Sequence, residues 1–312
     1  MRVAIVGAGQ MGSIYGGAAH DNGHGVLFID SNQDLVDRIN ADGLRIDRQN
    51  GHTEVYRVPA TAAPASVEAV MDLVLIQVKG WATAAAAANV KPVVGPETII
   101  LTLQNGLGNE EVLRASFPKN PILIGMSVHT VITLNLGHYH HTGVRDTALG
   151  PTDSATLAHA EKVASVFDRD GFATHVYPER EIRTQQWAKF VLNCGSLSTM
   201  ALTRLPTAVA SEQTLVFEHM DNLTRETCLI AKAAGIELDP EERVAFHHEL
   251  FRTAGGRASM LGDVLAKQRT EIDTINGAAV MYAEKYGVPA PLNRAMIALV
   301  KGLEKAIEIG EA

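Results

Sequence analysis

Cysteine is scarce: Cys194 and Cys228 are the only two in 312 residues. Two cysteines cannot build a disulfide framework, and these lack the C-x-x-C spacing of a zinc or redox site. Both read as small buried apolar residues in a reducing compartment. Basic residues are in deficit as well, 27 Lys and Arg against 35 Asp and Glu, for a formal net charge of −8. Nucleic acid and membrane surfaces want a basic face, so neither is expected as a partner. A small anionic substrate needs only local positive charge. Long apolar runs are missing: no segment approaches the roughly 18 residues of a membrane helix. The opening MRVAIVGAGQMGS breaks into glycines too early for a signal-peptide core, and a cytoplasmic protein is expected. Low-complexity linkers and internal repeats are also lacking. What is present is 46 % hydrophobic composition over a length suited to two domains. Such a chain can bury on the order of 70 % of its unfolded surface, with no metal or disulfide needed.

Residues 3–6 form an apolar run of strand length, followed at once by Gly7, Gly9 and Gly12, a helical pattern over 13–22 and a second strand over 25–29 that closes on Asp30. A glycine turn between strand and helix, with an acid about 20 residues further on, is the dinucleotide-binding fingerprint in its required context. Gly7 makes the tight turn, Gly9 lets the backbone approach a pyrophosphate, and Gly12 lets helix and strand pack. Unpaired N–H groups at the helix start then receive the phosphate charge, and Ala8, Gln10 and Met11 of the same turn are expected on the cofactor. Strands over 73–78 and 99–103 with an alanine-rich helix over 83–88 continue the alternation, which implies a doubly wound parallel sheet. Lys79 and the turn Gln104-Asn105-Gly106-Leu107-Gly108 fall beyond the carboxyl ends of those strands, where ligands sit in such sheets.

Residues 138–150 read as short polar strands carrying the run HYHH at 138–141. Strand alternation puts Tyr139 and His141 on one face and His138 and His140 on the other. With no acid or cysteine spaced to complete a metal site, the run reads as sheet-edge surface, and no metal is expected. After Glu179 glycines thin out and long helical patterns take over, so a domain boundary is placed at 180/181. Residues 185–202 form a helix with Lys189 and Asn193 on one face. Further helices are expected over 211–234, ending at Gly235, over 270–286, opened by Thr270 and Asp273 as an acid capping box, and over 292–307.

The motifs GAGQMG at 7–12, QVKGW at 77–81, QNGLG at 104–108, QWAKFVLNC at 186–194, RASML at 257–261 and RTEIDTING at 269–277 together resemble the ketopantoate reductase (2-dehydropantoate 2-reductase) family. The resemblance implies an N-terminal Rossmann-type domain over 1–180. An all-α C-terminal domain of the 6-phosphogluconate dehydrogenase kind follows over 181–312, with hydride transfer from NAD(P)H to a 2-oxo acid in the cleft between. It makes Lys189 the general acid on the nascent alkoxide and Glu271 the glutamate beside that lysine and the cofactor. Asn193 binds substrate, Ser259 meets the substrate carboxylate, and Lys79 and Asn105 bridge cofactor and substrate. Val131 falls where the family's backbone touches the nicotinamide. Residue type alone favours a solvated helix lysine at Lys189 and a dipole-compensating acid at Glu271; the motif match reverses that preference. Ser259 reads equally as an N-cap, which is compatible with holding a carboxylate, and Arg257 adds charge there or is a surface residue. The resemblance implies the R product, and the family includes monomers and dimers, so a homodimer is one of two expected assemblies.

Two positions depart from the family pattern. Where the family commonly has an arginine for the 2′-phosphate of NADPH, this chain has Asp30. A carboxylate there accepts bonds from ribose hydroxyls and repels a 2′-phosphate, so NAD(H) is expected over NADP(H). Leu197 replaces a second substrate-contacting asparagine, four residues after Asn193. Losing that donor weakens discrimination for the hydroxyl end of ketopantoate and points to a more apolar side chain on the substrate. The leading expectation is a 2-oxo acid reductase of ketopantoate. The alternative is an NAD-dependent dehydrogenase of another branched or aromatic 2-hydroxy acid, and a more remote one is a non-catalytic NAD(H) sensor.

Overall fold

In the first strand, Val3 and Ile5 enter one apolar cluster while Ala4 and Val6 enter another. A strand that is apolar on both faces belongs inside a sheet covered on both sides. The computed structural model, which describes residues 1–169, 171–253 and 256–311, shows that arrangement. The chain divides into two compact units: 1–104 with 109–182, and 105–108 with 183–312.

The first unit runs β1 (Arg2–Val6), α1 (Gln10–Asp21), β2 (Gly25–Ile29), α2 (Gln33–Asp42), β3 (Leu44–Asp47), β4 (Thr53–Tyr56), β5 (Ala60–Thr61), β6 (Met71–Ile76), α3 (Thr83–Asn89), β7 (Val94–Thr102), α4 (Asn109–Ser116), β8 (Ile122–Ser127), β9 (Thr130–Asn135), β10 (His138–Gly143), β11 (Thr147–Pro151), α5 (Leu157–Phe167) and β12 (Thr174–Val176). The main sheet has the order β12-β11-β8-β7-β6-β1-β2-β5. Its strands from β8 to β5 are parallel, while β11 lies antiparallel to β8 and carries β12 with it. The expected doubly wound sheet is therefore present, with a reversed pair added at one edge. Strand order turns back at β1, between β2 and β6, the kind of switch point where ligands bind in open α/β sheets.

A second, four-stranded sheet has the order β4-β3-β10-β9. Tyr139 and His141 are buried while His138 and His140 are half-buried, as alternation requires. The sheet-edge reading of HYHH is corrected, because β10 is an inner strand between β3 and β9. Its buried face joins the core on the side of β1 that also holds Tyr15 and Phe28.

The second unit is helical: α6 (Glu179–Thr203), α7 (Thr207–Ser211), α8 (Thr214–Ala233), α9 (Pro240–Thr253), α10 (Ser259–Leu265), α11 (Asn276–Tyr286) and α12 (Pro291–Glu308). The division after Ile182 falls inside α6. Two expected helix starts are corrected. Ser211 closes α7, and the long helix begins at Thr214. Thr270 does not open a helix: its hydroxyl donates to Glu304 Oε1 at 2.7 Å, and Asp273 is taken by Lys301 at 2.7 Å and Arg269 at 3.0 Å. With those side chains committed elsewhere, residues 270–275 form a turn and the helix starts at Asn276.

Candidate active site

In the first unit the glycine turn is fixed by sterics. Gly7 has φ +97°, and a Cβ on it would sit 2.7 Å from the Gln77 carbonyl oxygen; one on Gly12 would sit 1.8 Å from the Gly7 oxygen. Neither position can carry a side chain. Gly9, by contrast, caps α1 in extended conformation and has nothing within 4 Å of a Cβ built on it. The first turn of α1 has no acidic residue and no side-chain cap, which leaves its N–H groups and the helix dipole to an anion. This cradle fits the pyrophosphate of a dinucleotide.

Asp30, just past β2, is tied into that cradle. Its Oδ2 accepts the Ala8 N–H at 2.8 Å and its Oδ1 the Asn32 N–H at 2.9 Å, while Asn32 caps α2 through Leu35. Lys79 is half-buried at the start of the 3-10 turn Gly80–Ala82. Gln104 steadies that neighbourhood by donating to the Val78 carbonyl at 2.7 Å. Val131 lies in β9 with its side chain buried and pairs with His141. Gln10 is exposed and Met11 half-buried at the start of α1.

In the second unit Lys189 and Asn193 lie one turn apart on α6, Lys189 half-buried and Asn193 buried. Burial pushes the Lys189 ammonium down to about 8, against the upward pull of the Glu271 carboxylate. Glu271 is itself buried and is delivered by the 270–275 turn. The turn holds it through Thr270, whose backbone N–H joins its hydroxyl on Glu304 Oε1. Residues 105–108 pack on the same turn: the Leu107 N–H donates to the Thr274 carbonyl at 3.2 Å, and Gly106, φ +82°, leaves 2.1 Å between a Cβ and that oxygen. The structure thus brings Asn105 to the segment that carries Glu271. Ser259 is the exposed first residue of α10; the N-cap is Ala258, so the capping role expected for Ser259 is corrected. Arg257 is exposed two residues earlier. Leu197, one turn beyond Asn193, is buried in the apolar cluster of Trp187, Phe190 and Ile272.

A buried polar network, for which the sequence carries no signal beyond Asn276 in the last motif, holds this site together. Asn276 Nδ2 donates to the Cys194 carbonyl at 3.2 Å and to Asn293 Oδ1 at 2.9 Å. Glu226 on α8 accepts from the Leu292 and Asn293 N–H groups and from Asn293 Nδ2. One carboxylate therefore caps α12 and, through two asparagines, anchors α11 to the backbone just after Asn193.

Family models for ketopantoate reductase PanE/ApbA match residues 3–154, and for its C-terminal domain residues 181–304. The chain belongs to the ketopantoate reductase family. Among the family's members, 2-dehydropantoate 2-reductase of Halobacterium salinarum is 30 % identical over 306 residues, 96 % of this chain and 98 % of that one. A PanE/ApbA family ketopantoate reductase from Ralstonia eutropha has TM-score 0.88 at 31 % identity, over 99 % of this chain and 100 % of that one. A D-mandelate dehydrogenase solved with NADH and anilino(oxo)acetate has TM-score 0.92 at 25 % identity, again over 99 % and 100 % of the two chains. The fold is therefore also that of an enzyme named for a different 2-hydroxy acid. Among the described residues no helix is long and apolar enough to cross a membrane, and no cluster of ligating side chains could hold a metal.

Proposed function

We propose that this oxidoreductase reduces 2-dehydropantoate to pantoate, with Lys189 as proton donor. The observation that carries the reading is the Lys189–Glu271 pair: a lysine brought to about 8 beside a buried carboxylate, one turn from Asn193. Reduction of a ketone leaves charge on its oxygen, so a proton donor within hydrogen-bond reach is required. A lysine at about 8 is largely protonated at neutral pH, yet gives up its proton far more readily than a solvated one. Glu271 keeps that lysine charged until transfer and restrains its position.

The first unit holds the cofactor, which supplies the hydride when bound. Gly9 to Gly12 and the first turn of α1 take the pyrophosphate, with Ala8 shaping the turn through its N–H on Asp30; Asp30 takes the adenosine ribose, and Lys79, Val131, Asn105 and Glu271 are the residues assigned to the reacting end. Asn193, Asn105 and Ser259 bind the 2-oxo acid, Ser259 at its carboxylate. The charge and position of Asp30 support NAD(H) over NADP(H). An assay of several 2-oxo acids with NADH and NADPH, followed by nicotinamide absorbance, tests the assignment. Turnover of ketopantoate supports it, and no turnover of any 2-oxo acid with either cofactor sinks it.

Leu197 favours a second reading, in which the preferred substrate is a branched or aromatic 2-oxo acid. A buried leucine one turn from Asn193 offers no donor to a substrate hydroxyl. The same panel decides, because this reading requires an aromatic 2-oxo acid, or a branched one other than ketopantoate, to exceed ketopantoate in kcat/KM. As for assembly, a homodimer is the form we propose to test by light scattering.

A further inference from the structure

The HYHH run is not absorbed by the reaction, yet one of its members reaches the dinucleotide turn. Tyr139 comes from β10 in the second sheet, is 4 % exposed, and donates its hydroxyl to the Ala8 carbonyl at 2.9 Å. Asp30 Oδ2 holds the N–H of the same residue at 2.8 Å. Ala8 is fully buried and stands immediately before the N-cap Gly9. Its carbonyl is therefore outside the hydrogen-bond ladder of α1, whose first such bond runs from the Ser13 N–H to the Gly9 carbonyl.

The Ala8–Gly9 peptide is trans, so its C=O and N–H point in opposite directions across one rigid plane. Drawing the Ala8 carbonyl inward onto a buried hydroxyl turns the Gly9 N–H the other way. Gly9 also has open space where a side chain would stand, so no side chain of its own screens that backbone from an approaching anion. We propose that Tyr139 is a positioning residue for the pyrophosphate: it anchors the Ala8 carbonyl away from the anion and aims the Gly9 N–H at it. Without the anchor the peptide can rotate and present a carbonyl dipole, negative end first, to a phosphate. The hydroxyl stays a donor throughout the physiological range, because burial and the neighbouring Asp30 charge both raise its pKa.

The inference rests on the glycine turn being the dinucleotide site, and the wild-type control separates the two claims. Tyr139→Phe keeps the ring and removes only the donor. KM for the preferred dinucleotide is expected to rise about threefold to tenfold, the worth of one hydrogen bond, while kcat and the KM for the 2-oxo acid hold. An unchanged dinucleotide KM overturns the proposal, as does a fall in kcat with KM unchanged, which would mark a merely structural role. In the wild-type chain, whose folding is not at issue, the Gly9 amide resonance is expected to shift when ADP-ribose is added; an unmoved resonance overturns the proposal too. A wild-type protein that binds neither NADH nor NADPH would overturn the dinucleotide reading itself, and this inference with it.

Discussion

Thr270 gives both its backbone N–H and its hydroxyl to a single oxygen, Oε1 of Glu304, at 2.8 and 2.7 Å. That pair of hydrogen bonds from one residue to one carboxylate oxygen replaces the first turn of an expected helix and fixes where Glu271 stands. Glu271 in turn opposes the loss of charge that burial imposes on Lys189. The proposed partner of the proton donor is thus set by a turn whose own residues are spent on holding shape.

Lys189→Ala is expected to lower kcat by about 10²–10⁴, the contribution of a positioned general acid, with dinucleotide affinity within about twofold. As the proposed donor, Lys189 can act only while protonated, so reduction should slow as pH rises through about 8. Glu271→Gln removes the influence that raises the lysine's pKa, and the alkaline limb should move to lower pH. Rate profiles of both proteins check this, and a limb unmoved in the glutamine variant would sink the pairing.

Asp30→Ser should erode the proposed preference for NADH, because a charge-assisted bond of about 1.5–3 kcal/mol is lost and repulsion of a 2′-phosphate ends. The ratio of kcat/KM for NADH over NADPH is expected to fall about tenfold or more. Since Asp30 also holds the Ala8 N–H, affinity for both cofactors should drop somewhat as well. A wild-type enzyme that prefers NADPH would remove the basis for this expectation.

Leu197→Asn restores a polar group one turn beyond Asn193. If the pocket meets the substrate there, ketopantoate should gain on an aromatic 2-oxo acid by roughly tenfold in relative kcat/KM. Measuring both substrates with the leucine and asparagine proteins suffices; equal ratios would place Leu197 outside the specificity surface. Some stability is lost in either case, because the side chain lies in the apolar cluster of Trp187 and Phe190.

Glu226→Ala should destabilise the helical unit by about 3 kcal/mol, because it strands buried donors that the carboxylate now satisfies. Those donors are the Leu292 and Asn293 N–H groups and Asn293 Nδ2. Urea unfolding measures the loss, and a change below about 1 kcal/mol would show that water replaces the carboxylate.

Stability should fall in mild acid. Burial first, then the nearby Arg48, brings His141 to about 4, and burial with Arg243 brings His247 to about 4. Both are neutral in the folded chain but titrate near 6.5 when unfolded. Between those values the unfolded chain binds more protons, so the stabilisation present above about 6.5 is lost as pH falls toward 4. Melting temperature against pH should show this slope, reduced in His141→Gln.

Legibility followed the range of the interactions. The GAGQMG turn was readable because Gly7 and Gly12 are required by contacts local to one strand–turn–helix unit, and α6 because Lys189 and Asn193 obey a helical repeat. The Thr270–Asp273 pair misled because the same residues that cap a helix also bond across space, here to Glu304, Lys301 and Arg269. HYHH reads as an edge because nothing in residues 138–141 announces that β3, nearly a hundred positions earlier, lies beside them.

Sequence alone determined the order of strands and helices around the glycine turn, the family, and the residue types at the proposed reacting positions, all set by local sterics and motif spacing. Tertiary structure alone decided which side chains stand beside one another. It put a buried carboxylate beside Lys189, turned Thr270 from a cap into an anchor, and set Tyr139 of a second sheet on the Ala8 carbonyl. Burial and long-range hydrogen bonds depend on what the fold brings near, and a pKa or a peptide orientation has no value until those neighbours are in place.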